Sequence, residues 1–272
     1  MTELGMKTIV ADMGSTSDLL EHAFKLSGLV SRLFRRRVSP GLFSIRYVLL
    51  AVLMATQVSA SGAEGVFVPL FNGRDFSGWE GGWTNGFYAI ESDGTFKCVG
   101  GRGWNSPKPR NLWTMREYTN FVLRFSFRLT ARANNGIGIR APAGDYVTSS
   151  GMEIQMLEDE STDFFQNTRK IPDYSLNASI YGVAAARRQS RAKGFLRPLG
   201  EWNEEEIRAD GSRIVVTLNG ETVVDVDLAS LSSDGGTPDG KSHPGIRRIG
   251  GHISLCWHND VVWFRDLRIR EL

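Results

Sequence analysis

Glu153 and Gln155 stand two residues apart in the run GMEIQMLED, interleaved with Met152, Ile154 and Met156. Such alternation predicts a strand with successive side chains on opposite faces, so the carboxylate and the amide share one face. Ile154 and Met156 then point into a core. Two further runs split the same way. In NNGIGIR, Gly136, Gly138 and Arg140 oppose Ile137 and Ile139; in HISLCWH, His252, Ser254, Cys256 and His258 oppose Ile253, Leu255 and Trp257. A face bearing a carboxylate, a guanidinium, an amide and imidazoles holds the parts of acid–base chemistry. One group takes a proton, another gives one, and a cation or amide holds developing negative charge. Gly136 and Gly138 predict a low floor beside Arg140 for close approach by a ligand. A plain solvated sheet face would explain any single row; Arg, Glu, Gln and His together favour a site.

Other constellations are weaker. A His252/His258 site completed by Glu153 leaves a divalent metal open, but no paired helical spacing supports it. No nucleophile-elbow motif accompanies the histidines. Cys98 and Cys256 fit either a disulfide or two buried thiols. Seven tryptophans offer flat faces that suit sugar rings. Trp113 and Trp257 sit in apolar strands and read as core, whereas Trp202, in Gly200-Glu201-Trp202-Asn203, has polar neighbours and is the better contact candidate.

Strands must position these groups. Asn120–Leu129 alternates cleanly, with Phe121, Leu123, Phe125, Phe127 and Leu129 on one face. Asn134-Asn135-Gly136 reads as a turn before Ile137–Arg140. Arg213–Leu218 runs into Asn219-Gly220, the strongest short hairpin signal, and Thr222–Val226 answers it. Gly251–His258 and Val261–Ile269 read as a last pair across Asn259-Asp260. The basic run Arg187-Arg188 to Lys193 reads as a solvated loop. No long helical period appears after residue 65, so the expected fold is an all-β sandwich within one domain.

Residues 1–63 differ from the rest. They hold seven Lys/Arg and four Asp/Glu of the chain's 32 and 30, leaving 25 and 26 elsewhere, a net of −1. That near-neutral body argues against nucleic acid as a partner. Arg35-Arg36-Arg37 and Arg46 precede the apolar run 47–55, and small residues follow, the order of a secretory signal. Residues 1–63 are therefore expected to be an extension with a signal or anchor segment, and the mature protein to be exported, periplasmic or extracellular. A membrane partner enters only if residues 47–55 stay uncleaved.

The chain also resembles a known family. Val68-Pro69-Leu70-Phe71-Asn72-Gly73-Arg74-Asp75-Phe76-Ser77-Gly78-Trp79 is similar to that family's opening. Leu112-Trp113-Thr114, Asn135-Gly136 to Arg140, Glu153-Ile154-Gln155, Ile180-Tyr181-Gly182, Gly200–Asn203, Leu218-Asn219-Gly220 and His258 with Phe264–Ile269 follow in order. These motifs, spanning residues 66–272, resemble the 3-keto-disaccharide hydrolase family, also called 3-keto-glucoside 1,2-lyase/3-keto-2-hydroxyglucal hydratase. Asn134-Asn135-Gly136 and Cys256-Trp257-His258 depart from its commoner Asn-Ser-Gly and Gln-Asp-His-like runs. The resemblance implies a concanavalin-like jelly roll acting on 3-keto-glycosides by β-elimination and hydration, with a small carbohydrate as partner. It implies Glu153 and His258 as acid and base, and Arg140 as the enolate's cation. Gln155, Tyr181, Trp202 and Asn135 become sugar contacts. The alternative is a non-catalytic carbohydrate-binding module on the same sandwich.

Overall fold

Hydrophobic alternation builds two antiparallel sheets. The computed structural model describes residues 65–105, 108–144, 146–161, 171–190, 192–231 and 236–272. The extension and signal expected in residues 1–63 lie outside them. Among the described residues, no helix is long and apolar enough to cross a membrane.

The larger sheet runs in the order β11 (Glu221–Asp227), β10 (Arg213–Leu218), β9 (Asn203–Asp210), β6 (Phe121–Leu129), β13 (Val262–Glu271), β4 (Phe96–Cys98) and β3 (Tyr88–Ile90), with β1 (Val68–Pro69) also pairing β13. The smaller sheet runs β2 (Trp79–Gly81), β5 (Leu112–Thr114), β12 (His252–Cys256), β7 (Asn134–Ala141) and β8 (Met152–Leu157). Their inner rows face each other. Phe121, Leu123, Phe125, Phe127 and Leu129 join Ile137, Ile139, Ile154, Met156, Ile253, Leu255 and Trp257 in one core. Asn219 and Gly220 both take positive φ, 50° and 88°, the primed turn whose twist suits a hairpin between β10 and β11.

Three expectations need correction. Asn134-Asn135-Gly136 is not a turn; β7 begins at Asn134, and the reversal falls earlier, where Ala133 N bonds Thr130 O and Arg132 has φ 61°. The last two strands do not pair with each other. β12 belongs to the small sheet and β13 to the large one, so Trp257–Val261 crosses between the layers. The basic loop is not merely solvated: Arg188 is a buried partner of Asp159 at 2.8 Å.

One core side chain breaks the pattern. Glu205 of β9 sits on the inner face, opposite Phe125 and Leu218, 2% exposed, with neither carboxylate oxygen hydrogen-bonded. Burial alone pushes its pKa up to about 8, so it is a neutral acid at pH 7.

Candidate active site

Strand β8 holds Glu153 opposite Gly138 and Gln155 opposite Gly136 of β7; Gly136 in turn faces Cys256 of β12, and Gly138 faces Ser254. These residues share the outer face of the small sheet. Glu153 does not point straight out. Its carboxylate leans back over Gly136, where a Cβ would stand 2.1 Å from Oε1 and 2.7 Å from Cδ. The lean carries Oε1 to 3.0 Å from His258 Nε2, just beyond the end of β12. Val147, opening the single helical turn α1 (Val147–Ser150), fills the space over Gly138 in the same way, its Cγ1 2.7 Å from a Cβ position there. The low glycine floor is real, but the protein's own side chains occupy it.

The face is also drier than alternation implies. Glu153 and Gln155 are 4% and 5% exposed. Segment 178–181 lies along the edge of β8, with Gln155 N on Ser179 O, Ala178 N on Gln155 O and Tyr181 N on Glu153 O. It covers backbone that an edge strand would leave open. Only the His258 side chain, 27% exposed, opens the pair to solvent. Burial pulls the His258 pKa down, but the Glu153 hydrogen bond and charge, helped by Asp260, outweigh it and raise it above the ordinary value. Cys256 also hydrogen-bonds Glu153; burial first, then that carboxylate, push its thiol well up, so it is a neutral donor and no nucleophile. Cys98 is likewise a free buried thiol, on the core side, with burial pushing its pKa up.

The fold brings some expected residues together and sends others away. Gln155 stays beside Glu153, its Nε2 3.3 Å from Asn134 Oδ1. Tyr181 adjoins Glu153 through its backbone, half-buried, with its ring edge-on to Tyr174 at 6.4 Å. Arg140 leaves the face. It has φ 51° at a bulge where the β7–β12 register shifts, so alternation fails there. Its guanidinium donates to Gly211 O at 2.6 Å and Arg248 O at 3.2 Å. Asn135 pairs with Met156 and is fully buried on the core side, its Oδ1 accepting from Gly136 N at 2.9 Å. Trp202 lies on the other layer, where Arg265 and Arg128 sit 4.2 and 5.0 Å from its ring centre. His252 is held by Thr114 O at 2.7 Å and by Glu117. The His252/His258/Glu153 metal set is not assembled, and among the described residues no group of three or more His, Cys, Asp or Glu side chains is placed to hold a metal ion.

Sequence reasoning missed the rim. Trp104 is 58% exposed, its ring edge-on to His258 at 6.1 Å and to Trp257 at 5.4 Å. Arg110 lies 5.7 Å from both indole centres and donates through Nη1 to Trp104 O at 2.6 Å. Asp260, two residues past His258, accepts from Asn134 N; burial raises its pKa despite that bond and the charges of His258 and Arg132. The signal that could have found Trp104 is its setting in Gly101-Arg102-Gly103-Trp104, glycines before an aromatic.

Residues 66–270 match the model of a family described as the 3-keto-alpha-glucoside-1,2-lyase-like domain. The chain belongs to that family. It is 25% identical over 238 residues to a 3-keto-disaccharide hydrolase of Bacteroides thetaiotaomicron, covering 76% of this chain and 78% of that one. A Parabacteroides distasonis crystal structure named as a glycosyl hydrolase is 26% identical, with TM-score 0.61 over 76% of this chain and all of the other. A second structure from that organism, 20% identical, shares the fold with TM-score 0.59 over 76% of this chain and 94% of its own. Membership and these relatives support a glycoside-acting enzyme on a jelly-roll sandwich.

Proposed function

We propose that this family member cleaves 3-keto-glycosides, with His258 as the proton-transfer group and Glu153 as the carboxylate behind it. The observation that carries the reading is the 3.0 Å contact between His258 Nε2 and Glu153 Oε1, with His258 the more exposed partner. If Nε2 carries its proton toward Glu153, Nδ1 is left with a lone pair for substrate. A ketone at C3 acidifies the C2 proton. His258 Nδ1 takes it, and the electron pair forms the enolate of C2 and C3. The enolate collapses to the C3 ketone and a C1–C2 double bond as the C1–oxygen bond breaks. The departing oxygen receives the proton from the imidazolium. Water then adds its hydroxyl to C1 and a proton to C2, for net hydrolysis.

Glu153 stabilises the imidazolium formed midway, because its charge lies on the far ring nitrogen in a buried setting. With Arg140 engaged elsewhere, Arg110 is the cation on this rim that we assign to the developing enolate charge. Gln155 and Tyr181 form the wall beside Glu153. The leader read in residues 35–63 would have the substrate met in the periplasm or outside the cell.

The test is incubation of the full chain with 3-keto-trehalose. Release of glucose and 3-keto-glucose, lost in His258→Ala, is expected. Binding without release would instead mark a carbohydrate-binding module.

A further inference from the structure

An exposed indole offers a flat apolar face, and one held rigidly in place costs a ligand little to engage. Trp104 is presented in that way. Gly101 and Gly103 adopt φ 71° and 77°, turning the chain twice before the indole. Asn259, the neighbour of His258, fixes those turns from below. Its Oδ1 accepts from Arg102 N at 2.8 Å and from Gly103 N at 2.9 Å, and its backbone oxygen accepts from Gly101 N at 3.0 Å. Trp257 and Arg110 brace the ring laterally. The platform and the proton-transfer group are thus tied to consecutive residues, Asn259 and His258.

We infer that Trp104 forms the subsite for the departing sugar, stacking on the apolar face of a pyranose leaving group. This rests on the proposed function. The indole stands at an interplanar angle of 71° to His258, so neither ring is stacked on the other. A sugar ring attached through C1 of the oxidised ring must lie beside the group that hands a proton to its oxygen. With its centre 6.1 Å from the imidazole centre, the indole is within reach of a ring carried on the oxygen that His258 protonates. A small aglycone such as methyl reaches His258 without touching it. Trp104 therefore selects disaccharides by their leaving half.

The experiment compares kcat/KM of the full chain on 3-keto-trehalose and on methyl 3-keto-glucoside. In Trp104→Ala the ratio of the first to the second should fall by roughly tenfold, the scale of one aromatic contact. Trp104→Phe should restore most of the ratio, and glucose, the departing product, should inhibit the wild type more strongly than Trp104→Ala. An unchanged ratio in a folded Trp104→Ala overturns the subsite, as does an equal loss on both substrates, which would make Trp104 only a packing partner of His258. If the wild type turns over neither substrate, the proposed reaction itself fails, and that outcome is distinct from a failed subsite.

Discussion

Oε1 of Glu153 lies 2.1 Å from the point where a Cβ on Gly136 would stand, so the carboxylate occupies the space that this glycine leaves empty. Gly136 has no need of unusual φ; what it supplies is room. Gly136→Ala should cost about 1–3 kcal/mol of stability through overpacking and lose on the order of 10²-fold in kcat/KM, because the carboxylate must swing off His258. In a Glu153→Gln background the same change should cost little more, since both act through one contact. Full activity in the single variant would show that the Glu153–His258 contact is dispensable.

The raised pKa of His258 sets opposite demands on folding and turnover. Protonated His258 gains from Glu153, so this contribution to stability is complete below the ordinary value near 6.5 and fades as pH rises through the raised one. The proposed proton abstraction needs the neutral ring, so kcat/KM should climb with pH through the same raised value. Glu153→Gln removes the opposing charge while burial remains. The acid limb should therefore move to lower pH as the plateau drops, and a pH–rate profile with the limb unmoved would exclude the coupling.

Glu205 makes stability fall with pH. Its folded pKa is about 8, against about 4.3 in an unfolded chain, so unfolding releases a proton throughout that interval. Its share of stability is complete below pH ~4.3, declines as pH rises, and is fully lost above about 8. Glu205→Met, similar in volume and apolar, should raise stability at pH 8 by on the order of 2 kcal/mol or more, and by less at pH 5. Urea titrations at the two pH values read this directly. An equal gain at both would mean that the carboxyl does not ionise in that window.

The alternating strands were legible because one face of each had to be apolar. NFVLRFSFRL and GMEIQML could be placed residue by residue, and Asn219-Gly220 named its own hairpin. The same rule misled wherever the chain left the regular pleat. A bulge at Arg140 turned that side chain toward Gly211 and Arg248. Asn135 obeys the pleat instead: read as a turn residue, it lies within β7 on the buried face of Ile137 and Ile139. Trp202 has polar neighbours in sequence because it packs against arginines of the other layer, which no local pattern shows. Arg188 looked like one more loop cation, yet it donates to Asp159, which also accepts from Asn177 N of a distant segment. The pair proposed for proton transfer joins two strand patterns: Glu153 lies in one and His258 follows the other. Their contact depends on a diagonal lean that alternation does not encode.

His258 and Glu153 also differ in what holds them. Glu153 is a residue of the small sheet alone, whereas His258 sits on the Trp257–Val261 link that ends in the large one. The distance between them therefore gauges how the two layers are aligned. Because packed interiors pass small displacements on rather than absorb them, a core substitution that slides one sheet over the other by a fraction of an ångström reaches the dyad. Activity in this enzyme should be a more sensitive reporter of core packing than foldedness is, and substitutions far from any substrate can retune it.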